Sequence, residues 1–280
     1  MRHKKATAGV LGLLSVLAAG FGAGPEAAPR GIRAAILVSA DAEWAVVRTL
    51  FPAGRYDASP FGEFIVQDIV LPDAGAARVV IFHGGWGKVA AAASTQYVID
   101  RWDPAVLMNL GTCGGFERAV ARFDIVLATK TVIYDIVERM GDPEGAIANY
   151  ITVIDLGWLR GPDPPGVRRV VIVSADQDAA PDAGASLGPK YGAAAVDWES
   201  GAIAYTASRN KKRVLILRGV TDLVGPRGDE TYGHIEIFRR NAEVVMKRLF
   251  AELPRWLSRI PDERECRRGD SNPYSRINGN

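Results

Sequence analysis

Short apolar runs alternate with helical patterns along most of the chain. Near-continuous apolar runs typical of buried parallel strands occupy 34–39, 105–110, 168–174, 193–198 and 214–220. Apolar residues recur at helical spacing over 41–50, 89–102, 199–207 and 230–253. Because strands that alternate with helices build parallel sheets, the pattern predicts a single α/β domain of three layers. Its central sheet is expected to be mixed, partly parallel and flanked by helices.

Two further regions add strands to this sheet. Residues 64–71 and 78–83 alternate or run apolar, and they predict a hairpin whose turn lies within 72–77. Apolar residues are also dense over 124–129 and 131–137, which we interpret as two more strands. These strands complete a sheet large enough to bury a full core.

The two ends of the chain differ from the middle. Residues 1–30 form a signal-peptide-like leader, because a basic start precedes a small, apolar stretch at 6–24. We expect an exported or periplasmic protein cleaved around 24–28; the alternative is a misassigned start codon that adds a leader to a cytoplasmic protein. A single domain then covers 31–255, and the polar 256–280 predicts a disordered tail.

Composition excludes several classes of function. The chain has 280 residues, 48% hydrophobic and 24% charged, which is ordinary for a globular domain. A net charge of +2 with scattered basic residues argues against a nucleic-acid partner. The leader is short for a membrane span, so no stable membrane association is expected after its removal. Two cysteines imply no disulfide framework, and three separated histidines predict no metal site; we expect no cofactor.

Candidate chemistry gathers where the predicted strands end. Glu199 and Asp222 each follow an apolar run, and Glu43 comes just after the first strand. Ligands of open α/β sheets bind outside the carboxyl ends of strands, so these carboxylates are expected at one edge. Glycine-rich turns at 84–88 and 111–115 lie at the same edge, where backbone N–H groups can approach a ligand. Considered singly, each carboxylate also fits a helix start or a turn.

Carboxylates without a metal suit the cleavage of a glycosidic bond. One acid protonates the leaving group, one base activates water, and a third anion holds sugar hydroxyls. Negative charge also stabilises an oxocarbenium-like transition state. The sequence contains no serine–histidine pair and no phosphate-binding lysine loop, and no histidine lies near Cys113. Cys113 is therefore expected to be a small buried residue rather than a nucleophile.

Four motifs carry a resemblance to a known family. They are GWGKVAAA at 85–92, NLGTCGGF at 109–116, VDWESGAIAY at 196–205 and LRGVTDLV at 217–224. In this order they resemble the purine/uridine phosphorylase superfamily, and within it the 5′-methylthioadenosine/S-adenosylhomocysteine nucleosidases, closest to the plant-type branch. The resemblance implies a purine nucleosidase, needing only nucleoside and water, that forms a homodimer. The irregular segment 141–165 is expected beside the site or at the subunit contact.

The resemblance also implies roles for individual residues. Asp222 would be the general acid that protonates purine N7, and Glu43 would bind and activate the attacking water. Glu199 would hold the ribose hydroxyls and stabilise positive charge on the sugar. Arg218 would orient Glu43 or that water. Trp198 would lie against the ribose, where the family usually has methionine. The other substrate-binding residues implied by the resemblance are Gly85, Gly114, Ser174, Asp176 and Asp178.

Two departures from the family leave the substrate open. The residues that follow Asp176 lack the large apolar group that usually meets the base, so a preference for adenine does not follow. Trp86 and Trp198 add bulk that would narrow the ribose or 5′ pocket, so the 5′-substituent is open as well.

Two other functions fit the same edge. A nucleoside phosphorylase of this fold would hold phosphate with arginines, but the first loop carries Asp41 and Glu43, and the glycine-rich turn offers only Lys88. Water is therefore the expected nucleophile. A non-catalytic, exported nucleoside-binding protein fits the leader and the residues after Asp176, which lack the apolar group that usually meets the base. Simple binding, however, does not require three carboxylates.

Overall fold

The computed structural model describes residues 31–73, 75–226, 228–229 and 231–261. The predicted leader, 1–30, lies outside the described residues, and so does most of the predicted tail. Nothing in the structure therefore tests the prediction of export.

The described residues form eleven strands and six helices. The strands are β1 (Ala34–Val38), β2 (Asp57–Ala58), β3 (Glu63–Val70), β4 (Ala76–His83), β5 (Val106–Phe116), β6 (Ile125–Ile133), β7 (Ile151–Val153), β8 (Val167–Ser174), β9 (Ala193–Asp197), β10 (Arg213–Gly225) and β11 (Gly228–Asp229). The helices are α1 (Asp41–Leu50), α2 (Gly87–Trp102), α3 (Pro143–Ala148), α4 (Ala183–Tyr191), α5 (Ser200–Arg209) and α6 (Ile235–Ser258). α1, α2 and α5 each follow a strand closely, as the alternating pattern predicts.

One mixed sheet crosses the described part of the chain. β1 pairs in parallel with β4 and β5, and β5 pairs in parallel with β10. β8 is parallel to both β6 and β9, whereas β10 meets β6, and β9 meets β5, in antiparallel fashion. These pairings join β5, β10, β6, β8 and β9 into a closed ring, while β1, β4, β3 and β2 extend the sheet from β5. The predicted mixed, partly parallel sheet flanked by helices is confirmed.

Helices pack on the sheet in two groups. α6 lies on β5 and β10 and against α1, and α2 packs against α5, which lies on β6, β8 and β10. All five residues of β1 are buried, as its continuous apolar run predicts. α6 comes so near to β10 that a Cβ added to Gly219 would lie 2.4 Å from Val245 Cβ. This close approach packs α6 directly on β10 around Gly219.

The glycine-rich ends of two central strands remain in the sheet. β5 continues through 111–116, and β10 continues through Asp222 to Gly225, because the two strands pair along nearly their whole length. The prediction of a loop at 111–115 was wrong, and so was the prediction that the later strand ends at Val220. Residues with little intrinsic strand preference are held here by the partner strand.

Other element boundaries also differ from the prediction. The two strands predicted at 124–129 and 131–137 form one strand, β6, whose register against β8 changes just before Lys130. α4 lies where no element was predicted, since glycines and Pro189 within it are poor helix formers. The irregular segment 141–165 contains the short elements α3 and β7. Among the residues described, none of the helices combines the length and apolar character needed to span a membrane.

The domain ends later than predicted. α6 begins at Ile235 rather than at residue 230, and it runs to Ser258. Trp256, Leu257 and Ile260 are buried in the core, because their apolar side chains continue the inward face of α6. Residues 256–260 therefore belong to the domain and not to the tail predicted at 256–280, and 262–280 lie outside the described residues.

Candidate active site

Glu43 is placed by the start of α1. It lies in the first turn of the helix, and its Oε2 accepts a hydrogen bond from the Ala40 backbone N–H at 3.3 Å. Its Oε1 accepts from the backbone N–H of Thr112 at 2.6 Å and from the Thr112 hydroxyl at 2.8 Å. The side chain is almost completely buried. Glu43 thus has a helix-capping role as well as its place in the site, so the two interpretations of this carboxylate do not exclude each other.

Arg218 is fully buried among three carboxylates. Its Nε lies 2.8 Å from Asp197 Oδ2, its Nη2 lies 3.6 Å from Glu199 Oε2, and its Nη1 lies 3.9 Å from Glu43 Oε1. Burial alone would lower the pKa of Arg218, but the three carboxylates, led by Asp197, raise the pKa above its ordinary value. The guanidinium is therefore a permanent positive charge beneath the site.

Glu199 connects this cluster to the glycine-rich turn. Its Oε1 accepts a hydrogen bond from the Gly87 backbone N–H at 3.1 Å. Burial raises the pKa of Glu199 to about 8, and the negative charges of Asp197 and Glu43 add to this effect against the opposing charge of Arg218.

Asp222 lies inside β10 rather than in a turn after it. The register of β10 against β5 changes between Val220 and Asp222. The Thr221 hydroxyl donates a hydrogen bond to Asp222, and the Asn241 amide donates to the Thr221 carbonyl at 2.8 Å. The Asp222 side chain is buried, and a Cβ on Gly114 would lie 3.0 Å from its Oδ2. The irregularity in the strand and the glycine opposite it together make room for this carboxylate.

The three predicted carboxylates line one cavity. Its volume is about 600 Å³, and Glu43, Glu199 and Asp222 all contribute to its wall. Trp198, Gly114 and Asp178 line the same cavity, as the sequence analysis expects of substrate-binding residues. Residues remote in the chain are thus brought to one site of the size that binds a small molecule.

Other predicted site residues lie behind the cavity wall. Ser174 is fully buried, donates to Asp197 Oδ1 at 2.6 Å and accepts from the Gly201 N–H at 2.9 Å. Asp176 accepts from the Lys88 N–H at 2.7 Å, so its carboxylate pairs with a backbone donor in the first turn of α2. Neither of them nor Gly85 lines the cavity, and Arg218 lies beneath it. Substrate binding by Ser174, Asp176 and Gly85 therefore stays a prediction.

A protein-family model matches most of the chain. The model described as "Phosphorylase superfamily" matches residues 33–257, which is most of the described domain. The chain belongs to the phosphorylase superfamily. Among curated relatives, this superfamily member is 29% identical over 203 residues to the 5′-methylthioadenosine/S-adenosylhomocysteine nucleosidase of Treponema pallidum; the match covers 60% of this chain and 75% of that protein.

Solved structures agree on the fold. The 5′-methylthioadenosine/S-adenosylhomocysteine nucleosidase of Colwellia psychrerythraea, in complex with adenine, is 22% identical with a TM-score of 0.63 and covers 81% of this chain and 96% of its own. A futalosine hydrolase mutant of Helicobacter pylori is 16% identical with a TM-score of 0.61 and covers 79% of this chain and 98% of its own. The resemblance in the sequence is thereby confirmed at the level of the superfamily, while the plant-type branch stays a prediction.

The superfamily member has an aromatic pair at the cavity. The rings of Trp86 and Trp198 are stacked, with centroids 4.6 Å apart and an angle of 30° between planes. Both residues line the cavity, and Trp86 is 66% exposed. The bulk that the sequence analysis expects near the ribose is therefore present as one paired surface.

The charged side chains among the described residues of the cavity wall are all acidic. The described residues that line it include seven carboxylates and no lysine, arginine or histidine. Lys88, the basic residue of the glycine-rich turn, is held outside the cavity by Asp135 and lies 3.7 Å from Asp176 Oδ2. Such a wall repels anions such as phosphate. In the described part of the chain, no group of three side chains is arranged to hold a metal ion.

Cys113 is inert in this setting. Its side chain is buried, and burial, together with nearby carboxylates led by Asp197, raises the pKa of the thiol well above its ordinary value. A thiol held in its neutral form is a poor nucleophile. The expectation of a small buried residue is confirmed.

Three residues of the site were not predicted as functional from the sequence. Asp197 contacts Arg218, Thr112 contacts Glu43, and Tyr232 lines the cavity. The Tyr232 hydroxyl donates to the Ala179 carbonyl at 2.8 Å, and burial, together with nearby carboxylates, raises its pKa. For Asp197 a signal exists: like Glu199, it ends an apolar run at the carboxyl edge. For Tyr232, in the loop before α6, no such signal exists.

Proposed function

We propose that the protein hydrolyses the N-glycosidic bond of a purine nucleoside, releasing the free base and the sugar. The observation that carries this proposal is the convergence of Glu43, Glu199 and Asp222 on one cavity whose described lining holds no basic side chain. Acid, base and sugar-holding carboxylates are what hydrolysis of a glycosidic bond requires. The nucleosidase named among the relatives supports the same reaction.

The chemistry divides among three carboxylates of the cavity wall. Asp222, in its neutral form, donates its proton to purine N7 while the C1′–N9 bond breaks and its electron pair stays on the base. Glu43 takes a proton from water as the water oxygen bonds to C1′. Glu199 accepts hydrogen bonds from the ribose hydroxyls and stabilises the positive charge that develops on the sugar. After release, solvent removes the proton from Glu43 and returns one to Asp222.

Water is favoured over phosphate as the nucleophile. Phosphate needs cationic partners, and Lys88 is engaged by Asp135 and Asp176 outside the cavity. Arg218 carries a positive charge, but Asp197, Glu43 and Glu199 surround it, so a phosphate would meet three carboxylates. A phosphorylase is therefore the weaker candidate.

The substrate we propose is a purine nucleoside like 5′-methylthioadenosine or S-adenosylhomocysteine. The names of the relatives support this class. Asp178, which lines the cavity where the family usually has an apolar side chain against the base, makes the identity of the base the first point to measure. We also propose a homodimer, exported to the periplasm where the leader is genuine and cytoplasmic where it is not.

The decisive experiment is base release, with and without phosphate. Methylthioadenosine, S-adenosylhomocysteine, adenosine, inosine and futalosine are incubated with the protein, and free base is measured. Hydrolysis predicts release that does not depend on phosphate. A requirement for phosphate would make the protein a phosphorylase, and calorimetric binding without release would make it a nucleoside-binding protein.

Two variants test the roles within that reaction. Asp222→Asn should lower kcat by about 10³-fold while nucleoside binding persists, since a general acid contributes about 10²–10⁴-fold. Glu43→Gln should behave in the same way because it removes the base for water. Asp100→Asn, at an exposed carboxylate of α2, is the matched control and should leave kcat unchanged. Full activity of Asp222→Asn would refute the acid assignment.

A further inference from the structure

Asp197 is the residue that anchors the buried arginine. It ends β9, is almost completely buried and lines the cavity. Its Oδ2 forms the short contact to Arg218 Nε at 2.8 Å, and Ser200 Oγ accepts from the same Nε at 3.0 Å. Its Oδ1 accepts from the Ser174 hydroxyl at 2.6 Å. The Ser200 hydroxyl also donates to Oδ2, so contacts other than the arginine hold both oxygens of the carboxylate.

The other side of the guanidinium has no such anchor. Nη1 and Nη2 of Arg218 are buried and have no hydrogen-bond partner in the described part of the chain. They lie 3.9 Å from Glu43 Oε1 and 3.6 Å from Glu199 Oε2, which is beyond hydrogen-bond distance. The two carboxylates with proposed catalytic and binding roles thus face a guanidinium that they do not hold.

The buried Arg218 guanidinium can serve as a preorganised hydrogen-bond donor. A buried N–H without a partner costs free energy, and a bound water or sugar hydroxyl that accepts from it would recover that cost. Preorganised donors also stabilise charge without reorganising during the reaction. Among the described residues, Asp197, on the Nε side, is the one carboxylate within hydrogen-bond distance of this guanidinium.

We propose that Asp197 is a positioning residue for the reaction: through Arg218 Nε it aims both terminal nitrogens between Glu43 and Glu199, where they complete the binding of water and ribose. This role rests on the proposed function. Asp197 itself transfers no proton and contacts neither the base nor water.

A purely structural role makes a different prediction. Asp197 Oδ1 also accepts from the Ser200 backbone N–H at 3.3 Å, at the start of α5, and this contact contributes to the fold. Loss of that contact alone lowers stability but leaves kcat per folded molecule unchanged. The two roles are therefore separated by kinetics corrected for the folded fraction.

The first test is Asp197→Asn in the full-length protein. We expect kcat to fall about 100-fold, because misplacement of a positioned group by about 1 Å costs that much, while KM stays within about threefold of the unmodified protein. Asp163→Asn is the matched control. Asp163 holds the buried Arg259 at 3.0 Å but does not line the cavity, so its variant should lose stability and keep kcat.

The second test is a double-mutant cycle with Arg218→Lys. If Asp197 acts through the arginine, Asp197→Asn should change kcat by less than about threefold in the Arg218→Lys background. Independent, multiplicative losses would show that Asp197 does not work through Arg218, and the proposal would then be wrong.

Asp197→Glu keeps the test decisive where the asparagine variant does not fold. It retains the charge but places the carboxylate one methylene further along, so kcat should lie between the values of the unmodified protein and of Asp197→Asn. An unchanged kcat in a folded Asp197→Glu or Asp197→Asn protein would overturn the proposal. Absence of base release by the unmodified protein would instead refute the proposed function, so the two failures are distinguishable.

Discussion

The burial of Glu199 makes the stability of the folded protein depend on pH. Its pKa rises from 4.5 to about 8 because burial penalises the charged form, with Asp197 and Glu43 adding to the effect and Arg218 opposing it. The folded state therefore binds more protons than the unfolded state between these two values. The stability that this group contributes is fully present below about pH 4.5 and is lost as the pH rises through about 8.

Glu199→Gln should remove this dependence. Glutamine resembles the neutral acid, so the variant should lose less stability than the unmodified protein between pH 5 and pH 8. Thermal unfolding across this range is the measurement. Glu243→Gln, at an exposed i,i+4 pair with Lys247, is the control and should leave the dependence intact. The same slope in Glu199→Gln and in the unmodified protein would contradict the pKa shift.

At the scale of residues, the sequence predicts the position of the three site carboxylates better than the position of the residues around them. Glu43, Glu199 and Asp222 could be placed because each follows an apolar run at the same edge. Ser174 and Asp176 do not line the cavity: the Ser174 hydroxyl donates to Asp197, and the Asp176 carboxylate accepts from the Lys88 backbone N–H at the start of α2. The linear sequence does not reveal these contacts. The importance of Asp197 depends in the same way on a contact with β10.

At the scale of elements, β5 and β10 define the site. They run side by side, and Gly111 of β5 lies opposite Arg218 of β10. A Cβ at Gly111 would lie 1.9 Å from Arg218 Nη1 and 2.9 Å from Glu43 Oε1. The glycines that predict a turn in the sequence instead leave space for the buried arginine.

Gly111→Ala should therefore damage the site more than the fold. The methyl group displaces the Arg218 guanidinium, and we expect kcat to fall about 100-fold. Steady-state kinetics on protein shown to be folded by circular dichroism is the measurement. Gly141→Ala is the control, since its nearest neighbour would be Glu138 Oε2 at 3.6 Å in an exposed loop. Normal kinetics in Gly111→Ala would show that the arginine is not held in place.

At the scale of the whole molecule, β5, β10, β6, β8 and β9 close into a ring, and residues of β5, β9 and β10 line the cavity. The sequence predicts a mixed sheet, but it does not predict this closure, which depends on antiparallel contacts between distant segments. Individual elements and their order were therefore predictable, whereas the shape of the site was not.

The homodimer is a prediction at this scale. Val137, Met140 and Val153, in or near the segment expected to contact a partner, are apolar and 72%, 99% and 76% exposed. Light scattering should give twice the mass of one chain, and Val153→Asp should shift the protein towards the monomer by placing a charge at the contact. Val70→Asp, at a 74% exposed valine of β3, is the control. A monomeric unmodified protein would refute the prediction.

The mass of the recovered protein tests the prediction that the leader is cleaved on export. Protein recovered from the periplasm or the medium should lack the residues before the cleavage region at 24–28, as measured by intact mass and N-terminal sequencing. Lys4→Glu with Lys5→Glu should retain the protein in the cytoplasm, because the basic start of the leader is lost. Full-length, cytoplasmic protein from the unmodified gene would favour the misassigned start codon.

The stacked pair Trp86–Trp198 gives the molecule an optical signal of its own. Two indoles 4.6 Å apart couple electronically and should produce an exciton couplet in ultraviolet circular dichroism. A nucleoside that enters the cavity changes the surroundings of both rings, so their fluorescence should report occupancy. Binding to variants that no longer turn over can thus be titrated without a labelled compound.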